Sequence, residues 1–307
     1  MNKYSSAATY KNTRACVVTI GTFDGVHIGH KAILNRLVST AQKEDLDSVL
    51  LTFFPHPRMV LQKDTSIKLI NSIEERISLL EPTGLDHLII HPFTKAFSRL
   101  TALEFVRDIL VNKLQAKKII IGYDHRFGRN RNANIEDLRE FGITYGFEVE
   151  EISAQELDDV TVSSTKIRKA LEEGDIETAN GYLGYPFMLS GTVVKGKALG
   201  RTINYPTANL QIEESYKLIP MAGVYIVKAE INDATIFGIT SIGTNPTVGG
   251  TENTIETFFL DFSEDLYQRK LKIEFLSHIR KEETFETLEL LKEAIQNGYY
   301  DYFAHDG

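Results

Sequence analysis

The sequence predicts an α/β plus β architecture: a domain with a parallel sheet at residues 1–184, then an antiparallel β-barrel with a C-terminal helix at residues 185–307. In the first part, apolar runs rich in β-branched residues alternate with amphipathic helical patterns, which is typical of a parallel sheet covered on both faces. Beyond Gly181–Pro186, short alternating segments separated by glycine-rich turns indicate the barrel. The length of 307 residues also suits two domains, each with its own core.

The composition limits the classes of protein to which the chain can belong. Its 42% of hydrophobic and 25% of charged residues are ordinary for a globular protein. The net charge is -8 and neither half is basic, which argues against broad nucleic-acid binding, because that requires a basic surface. No apolar run is long enough to span a bilayer, and Met1–Tyr10 lacks the core of a signal peptide. We therefore expect a cytoplasmic protein without a membrane partner.

Cys16 is the one cysteine of the chain and lies in the first apolar run. An intramolecular disulfide bond or a thiolate metal cluster is therefore impossible. We expect Cys16 to pack in the core rather than to act in catalysis.

A glycine-rich loop joins this first strand pattern to the first helix pattern. Residues 16–20 are apolar and largely β-branched, and residues 33–41 repeat apolar side chains at helical spacing. The loop therefore leads from the carboxyl end of a strand to the amino end of a helix, where free N–H groups and the helix dipole favour an anion. This position predicts a nucleotide site.

The residue types in the loop support that prediction. Its glycines carry no Cβ atom, so the backbone can approach a phosphate closely. His27 and His30 are three residues apart, and both imidazoles can donate to charge that develops on one phosphate. A glycine-rich turn with a capping histidine would explain a lone glycine pair, but here the glycines coincide with Asp24 and a His-x-Gly-His tetrad. The glycines are Gly21, Gly25 and Gly29.

The run Gly-Thr-Phe-Asp-Gly-Val-His-Ile-Gly-His at residues 21–30 resembles the nucleotidylyltransferase signature, specifically that of the amino-terminal module of prokaryotic bifunctional riboflavin kinase/FAD synthetases. The tetrad by itself is also similar to that of class I aminoacyl-tRNA synthetases, so two enzyme classes stay open here. The resemblance implies a Rossmann-like domain in which His27 and His30 are catalytic. It also implies that ATP is bound by Gly21, Phe23, Asp24, Gly25 and Gly29.

The second apolar strand pattern, at residues 48–54, ends at Pro55-His56-Pro57, because proline cannot donate to a sheet ladder. On residue type, this segment is a rigid turn. A Phe-x-Pro-His-Pro segment at this place resembles the FAD synthetase module, and the resemblance implies that Pro55, His56 and Pro57 help to shape the flavin pocket.

The rest of the first domain continues the alternation of strands and helices. We expect ligands beyond the carboxyl ends of its strands. The patterns predict helices over residues 73–80 and 102–114, and strands over residues 87–90, 118–121 and 147–152.

The loop at residues 122–131 follows the fourth strand and contains three arginines and two glycines. It is either a solvated basic loop or a place where a polyphosphate or an aromatic ring is held. Its Gly-x-Asp-x-Arg-Phe-Gly run resembles the second core motif of the family, which implies binding roles for Asp124, Arg126 and Phe127.

A further helix pattern begins with hydroxyl residues. A serine before a helix is usually an N-cap, but Ser163, Ser164 and Thr165, with Arg168 one turn later, would also suit the β- and γ-phosphates of ATP. This run resembles the second phosphate motif of the family, with Arg168 in a catalytic role. A tRNA synthetase would carry a lysine-rich loop instead, so the run favours the flavin nucleotidylyltransferase.

In the second domain, the patterns predict a barrel closed by an amphipathic helix. The strands are expected at residues 188–194, 224–231, 236–242, 254–260 and 271–276, and the helix at residues 285–295.

The run Gly-Arg-Thr-Ile-Asn-Tyr-Pro-Thr-Ala-Asn-Leu at residues 200–210 closely resembles the riboflavin kinase signature. The resemblance implies that Thr207 and Asn209 bind Mg²⁺ and ATP phosphates, and hydroxyl and amide oxygens suit such a hard cation. A plain barrel also needs turn glycines, but the resemblance implies that the preceding region covers the nucleotide. Its candidate residues are Gly191, Gly196, Gly200 and Arg201.

Glu256 is an acidic residue within a strand pattern that otherwise suits a barrel. An outward-facing glutamate on a strand is common. The resemblance implies that Glu256 is the general base for the ribityl 5′-hydroxyl. The family more often has a histidine two residues later, where this chain has Phe258.

The resemblance spans residues 15–295 and implies FAD biosynthesis in two steps, with Mg²⁺ as cofactor, ATP, riboflavin and FMN as substrates and FAD as product. Two alternatives come from other classes. The Pro-Thr-Ala-Asn barrel argues against a nucleotidylyltransferase for another substrate, and the negative charge argues against a non-catalytic flavin sensor that binds RNA or DNA. We expect small-molecule partners and no nucleic acid, and a homo-oligomer stays open.

Overall fold

The computed structural model describes residues 1–11, 14–61, 67–122, 125–153, 162–195, 207–247 and 250–281, with the side chains of 244–247 and 250–253 excepted. Two compact units make up the chain. One consists of Met1–Lys68 with Ile73–Ser163, and the other of Leu69–Ser72 with Ser164–Gly307. The domain boundary expected between residues 184 and 185 stays a prediction. The expected closing helix, Asp124, Gly196, Gly200 and Arg201 lie outside the described residues.

The first unit contains a six-stranded sheet in which every pair of neighbouring strands is parallel, in the order β1-β4-β3-β2-β5-β6. The parallel fold expected from the sequence is therefore confirmed. The strands are β1 (Asn2–Tyr4), β2 (Cys16–Ile20), β3 (Asp47–Phe54), β4 (His87–Pro92), β5 (Ala116–Gly122) and β6 (Glu148–Ile152).

Helices of the first unit cover both faces of this sheet. On one face, α1 contributes Leu34 and Leu37 to a core cluster, and on the other face, Val106 and Leu138 belong to a second cluster. The helices are α1 (Ile28–Glu44), α2 (Pro57–Leu61), α3 (Ile73–Leu80), α4 (Ala102–Glu104, continuing as a π-helix over Phe105–Val111) and α5 (Ile135–Tyr145).

Two of these elements differ from expectation. The helix expected over residues 102–114 is largely a π-helix, and Asn112 N donates to Arg107 O, five residues back, at 3.0 Å. The segment expected to be a rigid turn leads into α2, which begins at Pro57. Proline suits the first position of a helix, where its missing N–H group would have no partner within the helix. The Phe54–Pro55 peptide bond is cis.

Cys16 is fully buried at the start of β2, as expected. Its Sγ donates to Leu114 O at 3.0 Å, and burial raises the pKa of the thiol to about 12. A thiol that stays protonated is a poor nucleophile, so its role is packing.

The second unit contains a closed barrel in which every pair of neighbouring strands is antiparallel, in the order β10-β11-β8-β7-β12-β9. The barrel expected from the sequence is confirmed, and β8 is a strand that we did not expect. Its strands are β7 (Met188–Val194), β8 (Thr207–Gln211), β9 (Gly223–Ile231), β10 (Ala234–Thr247), β11 (Gly250–Phe259) and β12 (Lys270–Lys281).

Two helices, α6 (Ser164–Glu173) and α7 (Ile176–Leu183), precede the barrel in the second unit. Helix α6 ends before Gly174, as expected, and this glycine has a φ of +80°. A Cβ atom there would lie 2.6 Å from Met221 Cε, so both the backbone conformation and the packing favour glycine.

A short segment from the middle of the sequence, Leu69–Ser72, belongs to the second unit; we call it the 69–72 segment. Leu69 N donates to Tyr216 O at 2.7 Å, and Leu218 N donates to Leu69 O at 2.8 Å. The buried Lys217 donates from Nζ to Ile70 O and lies 4.5 Å above the ring centroid of Phe187. Tyr185 Oη donates to Asn71 Oδ1 at 3.3 Å. Main-chain and side-chain hydrogen bonds therefore both hold this segment.

The described helices include none that is both long enough and apolar enough to cross a membrane.

Candidate active sites

The loop at residues 21–27, which we call the histidine loop, connects β2 to α1, so the expected strand-to-helix junction is confirmed. His27 is the N-cap of α1, and its Nδ1 accepts a hydrogen bond from His30 N at 3.3 Å. Three residues of the loop have positive φ: Phe23 at 48°, Gly25 at 90° and Val26 at 35°. The loop is held in a conformation that L-residues rarely adopt, which is a feature of functional sites.

Two glycines, Gly21 in the loop and Gly29 in the first turn of α1, lie close to neighbouring aromatic rings. A Cβ atom on Gly21 would lie 2.9 Å from Phe23 Cε2, and one on Gly29 would lie 3.3 Å from the His27 ring. The absence of these Cβ atoms lets the two rings fold back onto the loop. Phosphate binding by these glycines stays a prediction.

Phe23, His30 and His27 form one stack of three rings. The centroids of Phe23 and His30 are 4.6 Å apart, and those of His30 and His27 are 3.6 Å apart with an interplanar angle of 19°. The fold thus brings the two imidazoles side by side, as the spacing in the sequence suggested. His30 Nδ1 is buried and has no hydrogen-bond partner among the described residues.

Both imidazoles are neutral at pH 7. Burial lowers the pKa of His27 to about 4, and the nearby Asp24 opposes this shift. Burial also lowers the pKa of His30 well below its ordinary value, and the nearness of His27 and of the Arg76 guanidinium lowers it further. Each ring therefore offers one N–H donor and no net charge.

Asp24 is fully buried in the histidine loop, and its carboxylate forms an ion pair with Arg76 of α3. Arg76 Nη2 lies 3.8 Å from Asp24 Oδ1, and Arg76 Nη1 donates to Thr22 O at 2.8 Å. We did not expect a role for Arg76 from the sequence. No local motif marks it, because it lies some fifty residues from the loop that it contacts.

The depressed pKa of His27 predicts that acid destabilises the protein. Between pH 6.5 and pH 4 the unfolded chain binds a proton at this residue that the folded chain does not, so stability present above pH 6.5 is lost as the pH falls towards 4. At pH 5 this one group removes about 2 kcal/mol of the free energy of unfolding.

His27→Asn keeps an N-cap but removes the titrating group. We expect a smaller loss of stability between pH 7 and pH 5 in the variant than in the parent, measured by urea unfolding at both pH values. Equal losses in the two proteins would contradict a buried neutral His27.

Aromatic side chains cluster where β3 and β4 end. Phe53 is paired in register with His91, and Phe97 lies 5.5 Å from Phe53 and 4.6 Å from His91 between ring centroids. Ala7 N donates to His91 Nδ1 at 3.0 Å, which fixes the orientation of that ring. The cluster continues through Phe93, Phe105 and Phe127.

Of the binding candidates in the 122–131 loop, the structure places the buried Phe127 in this aromatic cluster, with its ring centroid 6.1 Å from that of Phe105. Arg126 is exposed next to it. His56 lies directly after β3, and its Nδ1 accepts from Arg58 N at 3.2 Å. The binding roles of Phe127 and Arg126 and the flavin-binding role of the Pro55–Pro57 turn stay predictions.

The hydroxyl residues expected to bind phosphate lie at the start of α6, which begins at Ser164. Ser163 directly precedes this helix, and Thr165 and Arg168 lie in its first turns. The phosphate-binding roles of these four residues stay predictions.

Glu256 lies directly opposite Asn209 in the antiparallel pair of β11 and β8, and Thr207 lies opposite Phe258. Side chains opposite each other in a ladder share a face, as do residues two apart on one strand. Thr207, Asn209 and Glu256 therefore lie together on one face and are half-buried. The other face of these two strands is the buried one, with Ala208, Leu210, Ile255 and Thr257.

Gly191 of β7 lies where neighbouring backbone comes close. A Cβ atom at this position would lie 2.3 Å from Gln211 O, so packing within the barrel is enough to require glycine. Covering of a nucleotide by Gly191 stays a prediction.

Comparison with known proteins links both units to flavin enzymes. The FAD synthetase family model matches residues 9–166, and the riboflavin kinase family model matches residues 183–301. The bifunctional riboflavin kinase/FMN adenylyltransferase of Escherichia coli (strain K12) is 36% identical over 281 residues, which cover 91% of this chain and 89% of that protein. The protein of the same description from Pseudomonas fluorescens is 38% identical over 283 residues, which cover 92% of this chain and 90% of that protein.

A solved structure described as a macrolide-efflux protein from Streptococcus pneumoniae has the same fold, with a TM-score of 0.88 and 31% identity. The alignment covers 97% of this chain and 96% of that one. The description as an efflux protein applies to that structure alone. The two family models that match this chain describe flavin enzymes, as do the two relatives above.

Proposed function

The chain belongs to the bifunctional riboflavin kinase/FMN adenylyltransferase family, and from this premise we propose how its two units divide the chemistry. The kinase activity transfers phosphate from ATP to riboflavin and forms FMN. The adenylyltransferase activity then joins AMP from ATP to the FMN phosphate, which forms FAD and releases pyrophosphate. Adenylyl transfer is assigned to the histidine loop, and phosphorylation to the barrel.

The stack of Phe23, His30 and His27 is the observation that carries the adenylyl-transfer assignment. A buried ring nitrogen without a partner is costly and is expected where a substrate supplies the missing contact. The attacking oxygen belongs to the FMN phosphate, which is already anionic, so the reaction needs no strong base. Neutral imidazole N–H groups would instead stabilise the charge that develops on the α-phosphate as pyrophosphate leaves.

The aromatic cluster at the ends of β3 and β4 supports flavin binding in the first unit. An isoalloxazine ring is large, flat and aromatic, and it stacks favourably on side chains such as Phe53 and Phe97. The nearby turn at Pro55–Pro57 and Phe127 would border the same ligand.

In the barrel, we assign Glu256 as the base that accepts the proton of the ribityl 5′-hydroxyl. The hydroxyl oxygen then forms a bond to the γ-phosphorus as the bond to the ADP oxygen breaks. Its place opposite Asn209, on the face shared with Thr207, supports this assignment.

The residues on this face also fit a magnesium ion. The described residues contain no group of three or more His, Cys, Asp and Glu side chains able to hold a metal. Mg²⁺ in kinases needs only one or two protein oxygens, together with phosphates and water. Thr207 and Asn209 supply such oxygens, and Mg²⁺ bound with ATP would neutralise the phosphate charge.

A chromatographic time course with riboflavin, ATP and Mg²⁺ tests the proposal. We expect FMN first and FAD afterwards. If FMN accumulates, FMN supplied directly tests the adenylyl step separately. No product from either flavin would contradict catalysis and favour the binding-protein alternative, for which a nucleic-acid filter-binding assay is the check. The expected cytoplasmic location, oligomeric state and lack of nucleic-acid partners stay predictions.

A further inference from the structure

We propose that Arg76 is a positioning residue for adenylyl transfer, whose guanidinium joins the Thr22 carbonyl to the Asp24 carboxylate and so fixes the histidine loop. The inference rests on the proposed role of that loop in the reaction. It adds a residue from α3, some fifty positions away in sequence, to the machinery of the site.

The contacts of Arg76 converge on the start of the histidine loop. Its side chain is almost fully buried, and Nη1 donates to Thr22 O at 2.8 Å. Thr52 Oγ1 of β3 donates to the same carbonyl oxygen at 3.0 Å. One main-chain oxygen is thus held from two elements, and the next residue along the chain is Phe23, the first ring of the stack.

The second contact of Arg76 is electrostatic. Asp24 is 0% exposed and Arg76 is 2% exposed, so neither charge is stabilised by bulk water. With Nη2 and Oδ1 3.8 Å apart, each charge reduces the cost of burying the other. Removal of one partner takes this compensation away from the other buried charge, which would disturb the loop that carries Asp24.

The same charge acts on His30. The titratable and charged groups near His30 are its stacking partner His27, Asp24 of the same loop, which acts on His27, and Arg76 of α3. Burial, His27 and the Arg76 guanidinium together keep the pKa of His30 low, so the ring remains a neutral donor at physiological pH. Arg76 therefore acts on the histidine loop through Thr22 and Asp24, and its charge adds to the effect of burial on His30.

Stability by itself is a poor explanation for this arginine. Well-packed apolar residues in place of a buried ion pair are often neutral or stabilising. A buried arginine that holds one carbonyl and one carboxylate of a loop instead gives that loop a single geometry. Such precision matters at a site where reacting groups must be positioned closely.

Two variants, Arg76→Met and Arg76→Lys, test the proposal on the full chain. Methionine keeps the length and apolar contacts but removes the charge, and lysine keeps the charge but loses the forked donor. Arg36→Met is the matched control, because Arg36 is an exposed arginine of α1 that pairs with Glu150. FAD formation from supplied FMN is measured as kcat and as KM for ATP from pH 4.5 to pH 9, and FMN formation is measured beside it.

For Arg76→Met we expect kcat for FAD formation to fall about 100-fold, with KM for ATP within about threefold and FMN formation unchanged. The acid limb of the kcat profile should move towards higher pH, since His30 becomes easier to protonate without the nearby guanidinium. Arg76→Lys should lose about tenfold in kcat and keep the parental acid limb. Arg36→Met should resemble the parent.

A kcat within threefold of the parent in Arg76→Met, an unmoved acid limb, or a parallel loss of both activities would overturn the proposal. If Arg76→Met does not fold, Arg76→Lys tests the proposal by itself. Full adenylyl-transfer activity in Arg76→Lys would contradict the proposal that both terminal nitrogens of the guanidinium are needed. A His30→Ala variant with full adenylyl transfer would instead contradict the assignment of this reaction to the histidine loop. The His30→Ala result therefore distinguishes failure of the proposed function from failure of the proposed role of Arg76.

Discussion

His30→Ala is expected to lower kcat for FAD formation from FMN by about 100-fold to 1000-fold and to leave FMN formation unchanged. The substitution removes the central ring of the stack and with it the neutral donor that we propose acts on the α-phosphate. A donor that acts on developing charge affects kcat more than KM. Steady-state assays with FMN and ATP for one activity, and with riboflavin and ATP for the other, measure both effects.

His30→Gln serves as the control, because its amide keeps an N–H donor without an ionisable group. We expect it to recover part of the activity that His30→Ala loses. Equal loss of FMN and FAD formation in His30→Ala would argue against separate sites in the two units.

Glu256→Gln is expected to lower FMN formation from riboflavin by about 100-fold to 10,000-fold while adenylylation of supplied FMN continues. Glutamine has nearly the same shape but cannot accept the hydroxyl proton as a carboxylate does. The ladder position opposite Asn209 is retained, because the main-chain pairing of β11 does not depend on this side chain. Rates of FMN and FAD appearance, each from its own substrate, give the comparison.

Glu230→Gln is the matched control, since Glu230 is an exposed glutamate on β9 of the same barrel. It should leave both activities at the parental level. Retained kinase turnover in Glu256→Gln would remove Glu256 as the base, whatever the state of the adenylyl step.

The features that could be predicted from the sequence depend on local pattern. The apolar run at Cys16–Ile20, the glycines and histidines after it and the helical spacing beyond it are contiguous, so the junction and the pairing of the two imidazoles followed directly. The run that contains Thr207 and Asn209 resembles a known signature, but its local pattern does not indicate a strand. The pairing of that strand with β11 then places Glu256 beside it.

Other features depend on contacts between distant parts of the chain, which local pattern does not encode. Arg76 appears in the sequence as one charged residue of a short amphipathic helix, and only the fold brings it to Thr22. The π-helix at Phe105–Val111 carries an apolar pattern close enough to that of an α-helix to predict the wrong hydrogen bonding. The 69–72 segment has no signal of its own, because its partners lie far along the chain.

That segment has a consequence for how the protein can be divided. The chain passes from one unit to the other after Lys68, after Ser72 and again after Ser163, so no single cut separates the units. A barrel transplanted from this chain without the tetrapeptide would leave the buried Lys217 without its carbonyl acceptor at Ile70. The second unit is therefore not one continuous segment of the chain. A gene fusion that exchanges this unit between relatives would also have to carry the four residues Leu69–Ser72, which lie within the sequence of the first unit.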